Sequence, residues 1–329
     1  MHVRVGIVSW NTCDLLGRCL AALPEALGDL DATVVVVDND SADRSADVAA
    51  ETGVVVIRNR SNVGYARAMN QALTAAIGDE PEVLIALNPD TVPPPGSLAE
   101  LVGRLSAQPD VGLVAPRLQH QDGTLQHSAY RFPSAMLAAV VCFVPRRWQR
   151  GRLGRRWWLE GFAPHDESSD VDWIIGAVHV IRAAALDGEV PYSERWFMYV
   201  EDVDLCWRLG ARSWRRRLEA DIEVIHVGNA AGAQAWGGER TARWLEATYD
   251  WYGLVNGSLA MRWWAAVNTA GTIALLAAWS LGRSYASARA GELRAVLPIH
   301  VRALLHGAAR YRSPGPRVAS AADEASGGS

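Results

Sequence analysis

Lysine is absent: all 32 basic residues of the 329-residue chain are arginine, set against 36 acidic ones. The formal charge of −4 offers no broad basic field, so nucleic acid is not an expected partner and any anionic ligand must be met by a local site. Cysteine is scarce. Cys13, Cys19, Cys142 and Cys206 form no C-x-x-C pair and no ligand-like spacing, which argues against a zinc module or a secreted disulfide framework and predicts a reducing, cytoplasmic compartment. Met1 leads straight into residues 3–10 without a charged n-region or a long apolar h-region, so no export signal is expected. Also missing are G-x-G-x-x-G, G-x-x-x-x-G-K-[ST], H-E-x-x-H and G-x-S-x-G, which weakens dinucleotide oxidoreductase, P-loop kinase, zincin and serine-hydrolase readings.

Half of the residues are apolar, enough for a sizeable core. Short β-branched runs at residues 3–10, 33–38, 54–58, 83–88 and 111–116 alternate with helical spacing at 14–27, 42–51, 65–76 and 98–106. This pattern predicts an α/β fold with a mostly parallel sheet covered by helices. The alternation stops over 131–170, which reads as a long surface excursion. It resumes with a strand at 172–182, a helix at 199–209 and a short strand at 222–226.

Ligands of open α/β sheets bind beyond the carboxyl ends of the strands, so the polar strand endings are the first place to look for chemistry. Three stand out: Asp38-Asn39-Asp40-Ser41, Arg58-Asn59 and Asn88-Pro89-Asp90-Thr91. Asp38 and Asp90 would project into one crevice, one to hold a nucleoside and the other a divalent cation bridging phosphates. Each ending also suits a turn or a helix N-cap. Further along, Glu201-Asp202-Val203-Asp204 opens a predicted helix on which Asp204 and Arg208 are i,i+4 neighbours, an ion-pair explanation that Asp202 lacks.

The blocks VVVVDNDSADRS (34–45), RNRSNVGYARAMN (58–70), LNPDT (87–91), VDWIIGAVHVIR (171–182), FMYVEDVDLCWR (197–208) and IHVG (225–228) occur in an order that resembles the family 2 glycosyltransferases of GT-A fold, specifically their rhamnosyltransferase-like branch. The resemblance covers about residues 3–228. It implies an inverting transferase that uses a nucleotide-diphosphate sugar and Mg²⁺ or Mn²⁺. Asp38, Asn59, Asn62, Gly64, Arg67, Asn88 and Asp90 would hold the donor, with Asp90 as the metal carboxylate of a D-x-D motif whose first Asp is Asn88 here. His226 matches a family histidine that completes the metal shell. Asp202 takes the place of the general base, Glu201 orients it or binds acceptor hydroxyls, and Trp173 and Gly176 match the acceptor side. The branch implies dTDP-rhamnose as donor and a polyprenyl-linked or polysaccharide acceptor in cell-envelope glycan synthesis. The same blocks would serve another donor such as UDP-galactofuranose.

Six Arg and three Trp between Arg146 and Trp158 suit anionic headgroups or a pyrophosphate-linked lipid. Residues 263–282 carry no charge, but Asn268, Thr269, Gly271, Thr272 and Ser280 dilute them, so spanning, interfacial and packed helices all stay open. A second amphipathic stretch, 293–305, supports surface attachment or a homo-oligomer. The expected organisation is a GT-A domain over 1–238, a helical, membrane-associated region over 239–312 and a disordered tail over 313–329. Two rivals remain. A sugar-nucleotide nucleotidyltransferase would place a Gly-rich basic loop after the first strand, where Ser9-Trp10-Asn11-Thr12 stands. A noncatalytic membrane scaffold would not need Asp38, Asp90 and Asp202 together.

Overall fold

The computed structural model describes residues 1–228, 239–281 and 287–307. β1 (Val3–Ser9), α1 (Cys13–Leu27), β2 (Ala32–Asp38), α2 (Ser45–Glu51), β3 (Val55–Arg58), α3 (Tyr65–Leu73) and β4 (Val83–Leu87) form the first half of a doubly wound sheet. β1 lies parallel between β2 and β4, with Ser9 opposite Asp38 and Ile7 opposite Leu87. Chain direction reverses across the sheet at this β1/β4 junction, the position where open α/β sheets form a ligand crevice.

Next come β5 (Thr91–Val92), α4 (Ser97–Ser106), β6 (Val111–Gln119), β7 (Leu125–Gln126) and β8 (Ala129–Tyr130). After the Arg/Trp-rich region follow β9 (Ser169–Asp170), β10 (Trp173–Ile174), β11 (Val178–Arg182), α8 (Glu201–Ala211) and β12 (Arg215–His226). The main sheet has the order β3-β2-β1-β4-β11-β6-β12-β5. β11 is antiparallel to both β4 and β6, whereas β12 is parallel to β6.

Both faces of the sheet are covered, which is why its strands read as unbroken apolar runs. Val3, Val5, Ile7 and Val36 face Leu16 and Leu20 of α1 and Leu98 and Leu101 of α4. Val8, Val35 and Val37 face Met69 and Leu73 of α3 and Val203 and Cys206 of α8. Gly6 allows α3 to approach closely, because a Cβ there would stand 2.8 Å from Leu73 Cδ2 and 3.0 Å from Ala72 Cβ. The second core continues into α9 (Arg240–Asn256), α10 (Ser258–Leu281) and α11 (Ser287–His306) through Tyr249, Trp251, Trp264 and Ile299. Asp250, buried in α9, accepts hydrogen bonds from Arg195 Nε (2.7 Å), Arg195 Nη2 (3.1 Å) and Trp196 Nε1 (3.1 Å).

Two expectations change and one open alternative closes. The strand expected over 172–182 is broken, because Trp173 and Ile174 pair with Tyr130 and Ala129 in a separate two-stranded sheet, leaving Gly176 between β10 and β11. The excursion over 131–170 holds α5 (Ala135–Phe143), α6 (Arg146–Gln149) and α7 (Arg152–Arg156). α5 is fixed at its start by Ser134 Oγ, which accepts from Leu137 N–H, and at its end by buried Gln149, whose Nε2 donates to the Val144 carbonyl at 2.7 Å. Finally, no helix among the described residues is long and apolar enough to cross a membrane. Within 263–282 alanine and small polar residues hold the mean hydropathy of α10 down; Gly282 and the tail 313–329 lie outside the described residues.

Candidate active site

The crevice is built by strand endings that lie far apart in sequence. At the end of β2, Asp38 is 5% exposed; its Oδ2 accepts from Ser41 N–H at 3.2 Å, while Oδ1 is buried without a partner. The turn explanation therefore accounts for only one of the two carboxylate oxygens. Next to it, Asn39 ties down the loop after β3. Its Oδ1 accepts from Asn59 Nδ2 (3.0 Å) and Val63 N–H (3.1 Å), and its Nδ2 donates to Asn62 Oδ1 (2.8 Å). Asn59 and Asn62 thus spend side-chain hydrogen bonds on holding this loop. Arg67 stands largely exposed on α3, 4.0 Å from Glu194.

Gly64 has φ +89°, and a Cβ there would meet the Phe197 carbonyl oxygen at 2.5 Å. The next residue, Tyr65, donates its N–H to that same carbonyl at 2.8 Å. The loop that follows β3 is in this way seated on the segment leading into α8. That segment contains two consecutive non-glycine residues in the left-handed region, Tyr199 (φ +75°) and Val200 (φ +73°). A β-branched residue there is a true outlier, and strain of this kind persists only where the surrounding fold imposes it.

α8 then presents Glu201 and Asp202 to the crevice. Asp202 Oδ1 accepts from Val203 N–H at 2.8 Å and Oδ2 from Gly176 N–H at 3.2 Å. Burial pushes the Asp202 carboxyl up, against the pull of these two N–H groups. Glu201 is raised as well, by burial first and then by the adjacent Asp202 charge, and its Oε2 is buried without a partner. Asp204 turns away and pairs with Arg208 at 2.8 Å, as the i,i+4 spacing predicts. Tyr65 donates its hydroxyl to the Gly176 carbonyl at 3.2 Å. Burial, followed by the Glu201, Asp202 and Asp90 charges, holds that hydroxyl well above the usual tyrosine range. Trp173 is 6% exposed, donates Nε1–H to the Arg131 carbonyl at 3.0 Å and stacks on half-buried Tyr130 with ring centroids 4.8 Å apart.

On the other side of β4, half-buried Asn88 donates its N–H to the Ala177 carbonyl at 2.9 Å. The antiparallel pairing of β5 with β12 sets His226 opposite Thr91 and so beside Asp90. Asp90 Oδ1 and His226 Nε2 are 3.2 Å apart, yet Nε2 has no hydrogen-bond partner. His226 Nδ1 is turned to Gln126 Oε1 at 2.9 Å, which directs Nε2 at the Asp90 carboxylate. Two ligands at right angles about an ion roughly 2.1 Å away would be about 3 Å apart, so this pair fits a hard divalent cation. The outward hydrogen bond of Nδ1 is the usual support of a metal-bound histidine. Among the described residues no third His, Cys, Asp or Glu joins them. Remaining ligands must come from water and phosphate, as is common for Mg²⁺ and Mn²⁺ sites.

Gln126, Tyr65 and the Tyr199-Val200 kink were missed from the sequence. Tyr65 lies inside a quoted block but carries no spacing signal, and nothing local marks a glutamine 100 residues before its histidine or a valine with positive φ.

Comparison with known proteins places the chain in a family. The model of the family described as glycosyl transferase family 2 matches residues 4–168. The N-acetylglucosaminyl-diphospho-decaprenol L-rhamnosyltransferase of Mycobacterium tuberculosis (strain ATCC 25618 / H37Rv) is 28% identical over 280 residues, spanning 78% of this chain and 89% of its own. The pre-mycofactocin glycosyltransferase of the same strain is 30% identical over 196 residues, 59% of this chain and 37% of its own. Among solved structures, the mannosyltransferase PcManGT from Pyrobaculum calidifontis in complex with GDP-Man and Mn²⁺ superposes with a TM-score of 0.58 at 18% identity, covering 92% of this chain and 87% of its own. The chain belongs to glycosyl transferase family 2 and is a glycosyltransferase of GT-A fold.

Proposed function

We propose that the protein transfers rhamnose, with inversion, from dTDP-rhamnose to a polyprenyl-diphosphate-linked sugar during cell-envelope glycan synthesis, working at the cytoplasmic face of the membrane. The transferred sugar and the acceptor follow the mycobacterial rhamnosyltransferase, which matches this chain along most of both lengths, and the dTDP carrier follows the family resemblance of the sequence blocks. The observation that carries the transfer chemistry is the half-buried Asp202 carboxylate, raised toward neutrality and held by Gly176 N–H in the crevice at whose edges the strands end in Asp38 and Asp90. A carboxylate of raised pKa is the better base near neutral pH.

In this reading Asp38 receives the donor nucleoside through its unpartnered Oδ1. Asn59, Asn62 and Gly64 shape the loop beside it, Arg67 meets the outer edge of the donor, and Asn88 contacts the diphosphate. Asp90 and His226 would hold Mg²⁺ or Mn²⁺, which when bound offsets the charge that develops on the departing diphosphate. The acceptor hydroxyl gives its proton to Asp202 while its oxygen bonds to the anomeric carbon and the bond to the diphosphate oxygen breaks. Glu201 stays protonated longer and donates a hydrogen bond to an acceptor hydroxyl. Gly176 leaves room for the sugar, and Trp173 supports Tyr130 as the aromatic wall of that subsite.

The test is a panel of nucleotide sugars, UDP-galactofuranose among them, incubated with a short polyprenyl-diphosphate N-acetylglucosamine acceptor and followed by chromatography. Acceptor-dependent release of dTDP from dTDP-rhamnose is the expected result. Turnover of another donor alone would replace the sugar assignment, and no acceptor-dependent release from any donor would refute the proposed polyprenyl-linked acceptor.

A further inference from the structure

α5 has the sequence AMLAAVVCF, with no charged or strongly polar side chain, and none of its nine residues is buried. A helix so short is marginal in water on its own, and one this apolar should be covered. Its ends are nevertheless well fixed, by Ser134 and Gln149, and one side rests on α10, where a Cβ on Gly271 would run into Cys142. The other side is open: Met136 is 72% exposed and Phe143 53%. On α10, which packs beside it, Trp263 is 65% exposed. Immediately after α5 come Trp148 and Leu153, also exposed, among the six arginines. Arg150 pairs with Glu160 and Arg155 with Asp166, whereas Arg146, Arg147, Arg152 and Arg156 meet no carboxylate among the described residues.

We infer that α5, flanked by α10 and the Arg146–Arg156 stretch, is a monotopic membrane anchor that lies in the headgroup region of an anionic bilayer. Apolar and aromatic side chains beside unpaired arginines are the chemistry of an interfacial helix, with arginine heads reaching phosphate while their stems lie along apolar surface. At 1.5 Å per residue α5 is about 14 Å long, under half of a hydrocarbon core of about 30 Å, so it lies on the bilayer and does not cross it. A second copy of the chain fits less well, because a two-fold contact would bring the unpaired arginines of both copies together. The anchor also sits close to the crevice. Phe132, three residues before α5, stacks on Trp251 of α9, and Tyr130 stacks on Trp173. This inference rests on the proposed lipid-linked acceptor, since docking α5 would hold the acceptor side of the crevice near the bilayer plane.

The test uses the full-length chain with vesicles of phosphatidylcholine containing one-third phosphatidylglycerol and with vesicles of phosphatidylcholine alone. The triple variant Met136→Glu, Val141→Glu, Phe143→Glu alters only exposed positions, and its fold is checked by donor binding and melting. Sedimentation should show the wild type on the mixed vesicles, at least tenfold less on phosphatidylcholine, and at least tenfold loss for the variant with donor binding kept. A variant that sediments like the wild type would overturn the assignment to α5 while leaving a membrane-surface enzyme intact. A wild type that binds neither vesicle overturns both. If it instead forms a dimer that the variant dissociates, the face is a subunit interface. Release of dTDP with a short soluble acceptor, measured on the same samples, reports on the transfer reading separately.

Discussion

Replacing Asp202 by Asn tests the proposed base through two independent readouts. The substitution keeps the size of the side chain and one acceptor oxygen, which can retain the 2.8 Å bond from Val203 N–H. The amide NH₂ then faces Gly176 N–H, and the loss of that 3.2 Å bond costs about 1 kcal/mol. Removing a general base lowers turnover by about 10²–10⁴, equivalent to about 2.7–5.4 kcal/mol of transition-state stabilisation, well beyond the structural loss. Donor affinity should be unchanged, because Asp38 and Asp90 are untouched. Stopped-flow or chromatographic turnover at saturating donor and acceptor, with donor affinity by calorimetry, separates the two quantities.

The second readout is pH. Asp202 and Glu201 are both raised above their unfolded values, near 4, chiefly by burial. The folded state therefore binds more protons than the unfolded state. The stability they contribute is full below the unfolded pKa and is lost as pH rises through the folded values, the reverse of an ion-paired carboxylate. In the wild type the melting temperature should fall as pH rises from about 5 to 8, and in Asp202→Asn the fall should be shallower. The acid limb of the wild-type kcat/KM profile should likewise sit above the ordinary carboxylate range, with the variant lacking it. Turnover within threefold of wild type, or an unchanged acid limb, would refute the role given to Asp202.

Asp90→Ala and His226→Ala should each raise the Mg²⁺ or Mn²⁺ concentration needed for half-maximal turnover by at least tenfold, read by titration after chelation; full activity in excess chelator would remove the cation from the reaction. Gly176→Ala should fold normally, because its Cβ would lie 3.6 Å from Asp202 Cβ and 3.9 Å from the Tyr65 hydroxyl, ordinary contact distances. Acceptor KM should nevertheless rise about tenfold with donor affinity kept. Val200→Gly relieves about 1–3 kcal/mol of left-handed strain but gives up about 1.5–3 kcal/mol of apolar burial. Chemical denaturation should show a net loss of no more than about 2 kcal/mol, while turnover falls at least tenfold because the start of α8 loses its fixed direction.

How much of this was legible in the sequence depended on the length scale of the interaction. The first four strands lie within one residue, and the helices between them within three, of where their periodicity puts them, since each element is set by a local apolar pattern. Asp38 and Asp90 end up in one crevice because strand endings follow from strands. The Asp204–Arg208 pair also came from local spacing. By contrast, the pairing of Trp173 with Tyr130 breaks an apolar run that reads as one strand, and only the partner 43 residues away in sequence decides it. α5 was missed because an apolar stretch bounded by prolines has no polar face to give helical period, and its caps act through Ser134 and a glutamine beyond its end.

The segment 195–202 shows why the missed features matter together. At its start Arg195 and Trp196 bind buried Asp250 of α9. In its middle the Phe197 carbonyl receives Tyr65 N–H and leaves no space for any residue but glycine at position 64. At its end two left-handed residues turn the chain so that Asp202 meets Gly176 N–H. The same eight residues therefore touch the C-terminal helices, the proposed donor loop and the proposed acceptor subsite. Strain at Tyr199 and Val200, of order 1–3 kcal/mol each, is offset by anchors on both sides. Such an arrangement couples α9 to the position of the proposed base. Loosening the Asp250 anchor should then lower turnover more than it lowers donor affinity, since the donor loop retains its own Asn39, Asn59 and Asn62 bonds while the base loses its support.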